Sequence, residues 1–264
     1  MSGVKKGWCP TLERPMESGD GFLVRLNITS GQINTEEARA IAKLSSKYGN
    51  GHIDLTSRGN VQIRGVANEN YAALYQELST LGFTETPRTA HKSTPAQLPE
   101  LGFIEHNTLA LGLLFGRMSA TSLAWLAEIA QEIITLSAVR TIYLHQIAAN
   151  SADALLSKAE SMGFIIHTQD PRRFIEACTG APACSSAEGD TRNLALTIAQ
   201  HFPHLQQKIH ISGCTKGCAY GEKAAFMIRA HDQSYEIAYD AKASDAALYT
   251  KLSAQDVLTK LESA

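Results

Sequence analysis

Apolar residues along the first two-thirds of the chain follow the same order of patterns twice. The first pass begins with a strand pattern from Gly21, followed by a helix in which Ile41, Leu44 and Tyr48 share one face. The second pass begins with a strand pattern from Leu109 and also continues into a helix. The apolar face of that second helix is predicted to contain Leu123, Leu126, Ala127, Ala130 and Ile134. The pattern therefore predicts a duplicated unit of strands and helices.

Short motifs mark matching points of the two copies. The segment Gly31–Asn34 aligns with Gly116–Ser119, and each lies directly before a predicted helix. The closing helices end in Leu81-Gly82-Phe83 and Met162-Gly163-Phe164, with glycine where a helix C-cap favours positive φ. Each copy is predicted to contain a further strand, at 52–56 or 139–145, and a closing helix, near 69–81 or 151–162. Each copy is then a β-α-β-α unit of the split βαβ, ferredoxin-like kind.

The remaining patterns divide the chain into four parts and predict an α+β fold. Residues 8–83 and 108–167 are the two ferredoxin-like half-domains in tandem, expected to form one continuous sheet with helices on one face. Residues 84–107, with three prolines, are predicted to be a linker, and 168–264 a separate C-terminal α/β lobe. In that lobe we expect helix 190–201, strands 207–212, 223–230 and 234–239, and a helical tail at 245–262.

Composition and charge narrow the class of protein. The 264 residues are 44% hydrophobic and 19% charged, which is ordinary for a globular protein and argues against extended disorder. Lys plus Arg number 24 and Asp plus Glu 26, which argues against a surface coated in basic charge for nucleic acid. No apolar run approaches the ~20 residues that cross a bilayer, and the N-terminus lacks the apolar core of a secretory signal. We expect a cytoplasmic protein without nucleic-acid or membrane partners.

Four of the five cysteines are grouped near the start of the C-terminal lobe. Cys178 and Cys184 form a C-x5-C pair, and Cys214 and Cys218 form a C-x3-C pair. In a reducing cytosol such a group favours metal ligation over a disulfide framework. The wide first pair fits the usual spacing of zinc sites poorly, whereas four thiolates around a [4Fe–4S] cluster allow longer loops. Zinc and structural free thiols or disulfides remain the alternatives, and Cys9, which stands apart, is predicted to be a small buried residue.

These cysteines, placed after two ferredoxin-like halves, resemble the sirohaem-dependent nitrite and sulfite reductase superfamily. The resemblance implies a [4Fe–4S] cluster held by the four cysteines, with the last one, Cys218, also bridging to sirohaem iron. The segment 55–65 looks like the superfamily's T-x-R-x-x-x-Q-x-R-G motif, in which arginines face tetrapyrrole carboxylates and substrate. Arg58, Gln62 and Arg64 match its positions, so the resemblance implies that they bind the cofactor or substrate.

Further cations and polar groups are expected around a ligand with many carboxylates. Arg58 and Arg64 are predicted to lie on neighbouring strands joined by a turn at 59–60, with Asn60 donating to the edge of the macrocycle. Lys216 lies between two cluster cysteines, where its charge favours the reduced cluster and meets a propionate. Arg14 and Arg25 are additional candidates. No catalytic residue is identified.

Within the superfamily, the segments 7–21, 48–56, 113–117, 178–186 and 210–219 look like the precorrin-3B synthase family of cobalamin biosynthesis. The resemblance implies an iron–sulfur monooxygenase that converts precorrin-3A to precorrin-3B with oxygen, using an external electron donor or reductase. No G-x-G-x-x-G fingerprint predicts an internal dinucleotide domain. The superfamily's first cofactor lobe has no counterpart in the short segment between the halves. A sirohaem-dependent sulfite or nitrite reductase and a non-catalytic cluster- or tetrapyrrole-binding remnant are the alternatives, and self-association is left open.

Overall fold

The computed structural model describes residues 10–28, 31–83, 98–105 and 107–263. The chain divides into two compact units, Met1–Thr168 and Gln169–Ala264. Cys9 and most of the predicted linker lie outside the described residues. Within the described part of the linker, residues Gly102–Ile104 form a strand that pairs with the second copy.

The first unit contains both copies of the predicted repeat. The first copy comprises β1 (Met16–Ser18), β2 (Gly21–Leu26), β3 (Gln32–Asn34), α1 (Thr35–Tyr48), β4 (His52–Leu55), β5 (Val61–Val66) and α2 (Asn68–Thr80). The second comprises β6 (Gly102–Ile104), β7 (Thr108–Leu113), β8 (Arg117–Ser119), α3 (Ala120–Ile129), β9 (Ile133–Leu136), β10 (Thr141–Leu144), α4 (Ala152–Ser161) and β11 (Phe164–Ile165). The shared order of strands and helices confirms the duplication and the α+β class.

Two sheets form in place of the one continuous sheet expected from the sequence. The first has the strand order β1-β2-β5-β4-β8, and the second has the order β11-β7-β10-β9-β3, with β6 paired to β7. The copies therefore exchange a strand: β3 of the first copy pairs with β9, and β8 of the second copy pairs with β4. One continuous hydrophobic core includes buried residues of both copies. The exchange makes each half-domain complete only in the presence of the other.

The motifs that mark the repeat are helix caps. The side chain of Asn34 accepts from the backbone N–H of Glu37 at 2.8 Å in a capping box, and Ser119 accepts from Ser122 at 2.9 Å. At the other end, Gly82 and Gly163 have φ of 88° and 87°, as the C-cap prediction requires. The capping predictions are thus confirmed at both ends of the repeat.

One assignment in the second copy is wrong. Ile134, predicted to lie on the face of α3, is part of strand β9. Ala130 is the C-cap of α3 and has extended backbone angles, so the helix ends before Ile134. The β-branched run Ile133-Ile134-Thr135 then forms a strand, which is the true counterpart of β4.

The second unit is one five-stranded sheet with two helices. Its elements are β12 (Ile175–Ala177), α5 (Thr191–His201), β13 (Ile209–Ser212), β14 (Ala224–His231), β15 (Ser234–Ala241), β16 (Tyr249–Leu252) and α6 (Ala254–Glu262). The strand order is β12 to β16 in sequence; the first three strands are parallel and the last three antiparallel. The predicted helical tail at 245–262 is wrong in its first half, because Tyr249–Leu252 pairs with β15 and the Ser253 capping box starts the helix only at Ala254.

Three short 3₁₀ helices, Leu114–Gly116, Ala149–Ser151 and Pro171–Phe174, connect these elements. Within the described ranges, no helix has the length and apolar character needed to cross a membrane.

Candidate functional site

The two cysteine loops leave the second unit's sheet at the same edge. Cys178 directly follows β12, and Gly213 and Cys214 directly follow β13. Because β12 and β13 are parallel neighbours, their carboxyl ends lie side by side, the usual position for a site in such a sheet. The backbone N–H of Cys178 donates to the carbonyl oxygen of Ile211 at 3.1 Å, which extends the pairing of the strands up to the first cysteine.

Cys178, Cys184, Cys214 and Cys218 are free thiols, and Cys218 lies within electrostatic range of the other three. Burial raises the pKa of the Cys218 thiol, and the neighbouring Cys214, Cys178 and Cys184 raise this pKa further. Lys216 acts in the opposite direction. The structure therefore brings together the four cysteines that the sequence predicts to act as a group. In the described part of the chain, no three His, Cys, Asp or Glu side chains are close enough to hold a single metal ion.

Backbone groups surround the first cysteine. The N–H of Gly213 donates to the Sγ atom of Cys178 at 3.2 Å. A side chain at residue 213 would not fit, because a Cβ atom there would lie 2.5 Å from the Cβ of Ala187. The absence of a side chain on Gly213 lets the second cysteine loop come close enough to donate to the first cysteine's sulfur.

Lys216 is exposed between Cys214 and Cys218. Its Nζ donates to the hydroxyl of Ser186 at 3.1 Å, which links the two cysteine loops. Its charge stabilises the thiolate form of Cys218. The prediction that it meets a propionate is not tested by these contacts.

The first unit carries the remaining predicted residues on and beside β5. Arg58 is exposed and lies in the turn between β4 and β5, so the prediction that it lies on a strand is wrong. Asn60 ends this turn, and its side-chain oxygen accepts from the backbone N–H of Ile28 at 2.9 Å. Gly59, with φ of 73°, permits the tight turn. Arg14, the weaker candidate, is an exposed residue before β1.

Polar side chains form a row across the first sheet. The strand register places Arg25 opposite Gln62, Gln62 opposite Asp54, and Asp54 opposite Arg117. With its amide oriented to satisfy both groups, Gln62 accepts from the guanidinium of Arg25 at 2.7 and 3.0 Å. We call these four residues the polar row. Asp54 and Gln62 are both buried, whereas Arg25 and Arg117 at the two ends of the row are half-buried.

Arg64 is buried next to this row and is held by two carboxylates. It donates to Asp20 at 2.8 and 3.0 Å and to Asp54 at 3.2 Å. Asp54 also accepts from Arg117 at 2.7 Å, so the four charges alternate in sign. Coulombic attraction to Asp54 and Asp20 and hydrogen bonds to both raise the pKa of Arg64, although its burial, the largest single effect, lowers it. In this structure the Arg64 guanidinium therefore contacts protein carboxylates, and its predicted contact with a ligand carboxylate stays a prediction.

The second copy has a neutral row at the equivalent place. Its strands pair Ala110 with Tyr143, Tyr143 with Thr135, and Thr135 with Gln32. The exchanged strands supply the last member of each row, Arg117 in the first sheet and Gln32 in the second, at aligned positions of the repeat. The two copies therefore share this arrangement of paired strands, but only the row in the first sheet contains charged residues.

Asp20 and Asp54, the partners of Arg64, and Arg117, the second partner of Asp54, are not among the residues predicted from the sequence. The sequence does contain a signal for Arg117, because this arginine stands where the first copy of the aligned cap motif has Gln32. Asp54 is an acidic residue between Ile53 and Leu55 in a strand, which signals a carboxylate on the face opposite the core.

Comparison with known proteins adds three findings. Residues 14–81 match the nitrite/sulfite reductase ferredoxin-like half domain. A precorrin-3B synthase from Sinorhizobium sp is 22% identical over an alignment of 364 positions, gaps included, that takes in 83% of this chain and 79% of the relative. A ferredoxin–nitrite reductase from Synechococcus elongatus is 33% identical over 78 residues, or 29% of this chain and 15% of the relative.

The fold also has a solved counterpart. The NirA protein of Mycobacterium tuberculosis superimposes with a TM-score of 0.71 at 12% identity, covering 91% of this chain and 79% of that protein. This likeness shows that the fold is shared.

Proposed function

We propose that this chain, whose residues 14–81 match the nitrite/sulfite reductase ferredoxin-like half domain and which is 22% identical to a precorrin-3B synthase, is an iron–sulfur oxidoreductase acting on a tetrapyrrole. The finer proposal is a precorrin-3B synthase-like monooxygenase in cobalamin biosynthesis. The observation that carries it is the convergence of Cys178, Cys184, Cys214 and Cys218 at one sheet edge in the second unit.

The residues at this edge fit a [4Fe–4S] cluster. Cys218 interacts electrostatically with Cys178, Cys184 and Cys214, so four thiols are available at one end of this sheet. A cluster needs four thiolates around a larger body, whereas a zinc ion needs four ligands at about 2.0–2.3 Å. The N–H of Gly213 and the charge of Lys216 lie where they would stabilise bound thiolates. When bound, the cluster supplies one-electron transfer from an external donor.

The first unit supplies groups suited to a polycarboxylate ligand. The guanidinium of Arg58 is exposed in its turn, and within the described residues it contacts no carboxylate. Gln62 and Asn60 are fixed by their hydrogen bonds to Arg25 and Ile28. Arginine matches carboxylate geometry through paired donors. We assign to Arg58 the capture of a ligand carboxylate and to Asn60 and Gln62 the support of its turn and strand.

The net reaction of the finer proposal balances with one external reductant. Precorrin-3A, oxygen, two electrons and two protons give precorrin-3B and water. One oxygen atom enters the substrate as a hydroxyl group at C20, and the other leaves as water. An acetate side chain then closes a γ-lactone by adding to the macrocycle, a step that releases no further water. The chain's own residues bind and orient the substrate, and a separate donor or reductase supplies the electrons.

A second candidate function is binding of a cluster or tetrapyrrole without turnover. The alignment with the Sinorhizobium relative spans 364 positions, whereas this chain has 264 residues, so at least 100 residues of that relative have no counterpart here. This supports the interpretation that the first cofactor lobe is missing. If that lobe is required for chemistry, binding persists and turnover is lost.

The first experiment is anaerobic purification with iron, sulfide, zinc and absorbance measurements. We expect about four irons and four sulfides per chain and a broad shoulder near ~400 nm. Additional sharp bands in the visible region would indicate bound sirohaem. Stoichiometric zinc without iron would contradict the proposal.

The second experiment separates the two candidate functions. The iron-loaded protein is mixed with precorrin-3A and a chemical reductant under air, and products are analysed by mass spectrometry. A product heavier by one oxygen atom supports the monooxygenase. Binding of precorrin-3A without such a product supports the non-catalytic alternative.

Replacing Arg58 with alanine is expected to weaken precorrin-3A binding by about 10- to 100-fold, since a hydrogen bond to a charged group contributes about 1.5–3 kcal/mol. Binding is measured by absorbance titration without oxygen. Lys43→Ala removes an equal charge from the exposed surface of α1 and serves as the control. Equal affinity of the Arg58→Ala and Lys43→Ala variants would remove Arg58 from the proposed site.

A further inference from the structure

A single buried side chain, Thr191, contacts both the backbone and the sulfur of Cys178. Thr191 is the first residue of α5 and is fully buried. Its hydroxyl donates to the carbonyl oxygen of Cys178 at 2.8 Å. The Oγ1 atom also lies 3.7 Å from the Sγ atom of Cys178. Both contacts are made by the hydroxyl oxygen of Thr191.

The loop after Cys178 is shaped around this threonine. Gly180 has φ of 73°, and a Cβ atom at that position would lie 2.7 Å from Oγ1 of Thr191. The next residue, Ala181, donates its N–H to the carbonyl oxygen of Gly189 at 2.9 Å. The loop between the first two cysteines is therefore packed directly onto the start of α5.

Further donors act on the same cysteine. The carbonyl oxygen of Cys178 also accepts from Nε of Arg192 at 3.3 Å, and its sulfur accepts from the N–H of Gly213. Cys178 is thus held from the helix on one side and from the second cysteine loop on the other. Groups that orient a metal ligand in this way restrict its movement before and after the metal binds.

We propose that Thr191 is a positioning residue that holds Cys178 ready to bind the iron–sulfur cluster. The inference rests on the proposed function, because it takes Cys178 to be a cluster ligand. Loss of the hydroxyl removes one of the two donors described for the Cys178 carbonyl, leaving Arg192, and takes one polar neighbour from its sulfur. The cluster is then retained less well although all four cysteines are still present.

The test compares Thr191→Val, which removes the hydroxyl at similar volume, with Thr191→Ser, which keeps it. Thr197→Val is the matched control, because Thr197 is on the same helix and its hydroxyl donates to Asn193 at 3.0 Å, away from the cysteines. Iron release from the loaded protein to a chelator is followed without oxygen. Thr191→Val is expected to release iron about 10- to 100-fold faster than wild type, while the other two variants stay close to wild type.

A second measurement uses the metal-free protein. Alkylation of each cysteine by iodoacetamide is followed by mass spectrometry, with the other cysteines as internal standards. In Thr191→Val, Cys178 is expected to react faster than in wild type, and its reactivity should return to the wild-type level in Thr191→Ser. If Thr191 only stabilises the fold, Thr191→Val would change the alkylation rates of all four cysteines together, or of none of them.

The outcomes distinguish this inference from the proposed function. Unchanged iron release and unchanged Cys178 alkylation in Thr191→Val overturn the positioning role. A Thr191→Ser variant as defective as Thr191→Val also overturns it, since the hydroxyl would then not matter. A wild-type protein that binds no iron refutes the proposed function instead. If circular dichroism shows that Thr191→Val does not fold, Thr191→Ala replaces it as the variant without a hydroxyl.

Discussion

A Cys214→Ala variant is expected to lose the iron–sulfur cluster, with iron falling from about four per chain to near zero. Cys214 follows β13 directly and belongs to the group of four interacting thiols. Removing one thiolate leaves one iron of the cluster without a protein ligand, and the exposed iron is then lost or oxidised. Iron content and the ~400 nm absorbance of anaerobically purified protein measure the effect.

The chain offers a matched control for this prediction. Cys9 is the one cysteine outside the group, separated from Cys178 by more than half of the chain. Cys9→Ala should therefore keep its iron. A Cys214→Ala variant that retains wild-type iron would contradict the assignment of the ligands, as would a Cys9→Ala variant that loses it.

Removal of the Asp54 carboxylate is expected to destabilise the first unit by about 3–5 kcal/mol. Asp54 accepts from Arg117 at 2.7 Å and from Arg64 at 3.2 Å, and all three side chains are largely buried. In Asp54→Ala, two arginines lose a shared counter-charge in a place that water reaches poorly. Asp20 remains as a partner of Arg64, whereas Arg117 loses the carboxylate that ties its strand to β4.

This prediction is measured by urea unfolding followed by circular dichroism. Asp240→Ala is the control, because Asp240 pairs with Lys223 on the surface, where both side chains are more than half exposed and such pairs contribute about 0–1 kcal/mol. A double-mutant cycle with Arg117→Ala gives the coupling across the exchanged strand. Equal unfolding midpoints for Asp54→Ala and Asp240→Ala would contradict the prediction, because the buried ion pairs would then stabilise the protein no more than a surface ion pair does.

The sequence was sufficient where the signal was local. Caps at Asn34 and Ser119 and glycines at 82 and 163 are short-range features, so the sequence correctly predicts the repeat, the starts of α1 and α3 and the ends of α2 and α4. The C-x5-C and C-x3-C spacing predicts that the cysteines act as a group, and the structure adds that their two loops leave adjacent parallel strands.

Non-local pairing and short apolar runs were the sources of error. Ile134 fits a helix period as well as a strand, and only its pairing with Leu144 decides the matter. Residues 249–252 likewise become a strand because β15 lies beside them. The ion pairs of Arg64 depend on strand register and on a turn 44 residues away, neither of which a motif encodes. The motif indicated that Arg64 matters but could not show what it contacts.

The exchanged strands also determine when the chain can complete its fold. Gln32 pairs with Thr135, so β3 has no partner until more than a hundred further residues have emerged from the ribosome. Similarly, β4 keeps an open edge until β8 has been synthesised. Such long-range pairing slows folding and leaves edges exposed to aggregation during synthesis. A half-domain expressed alone would retain that open edge, so we expect it to be less stable and more prone to aggregation than the two halves together.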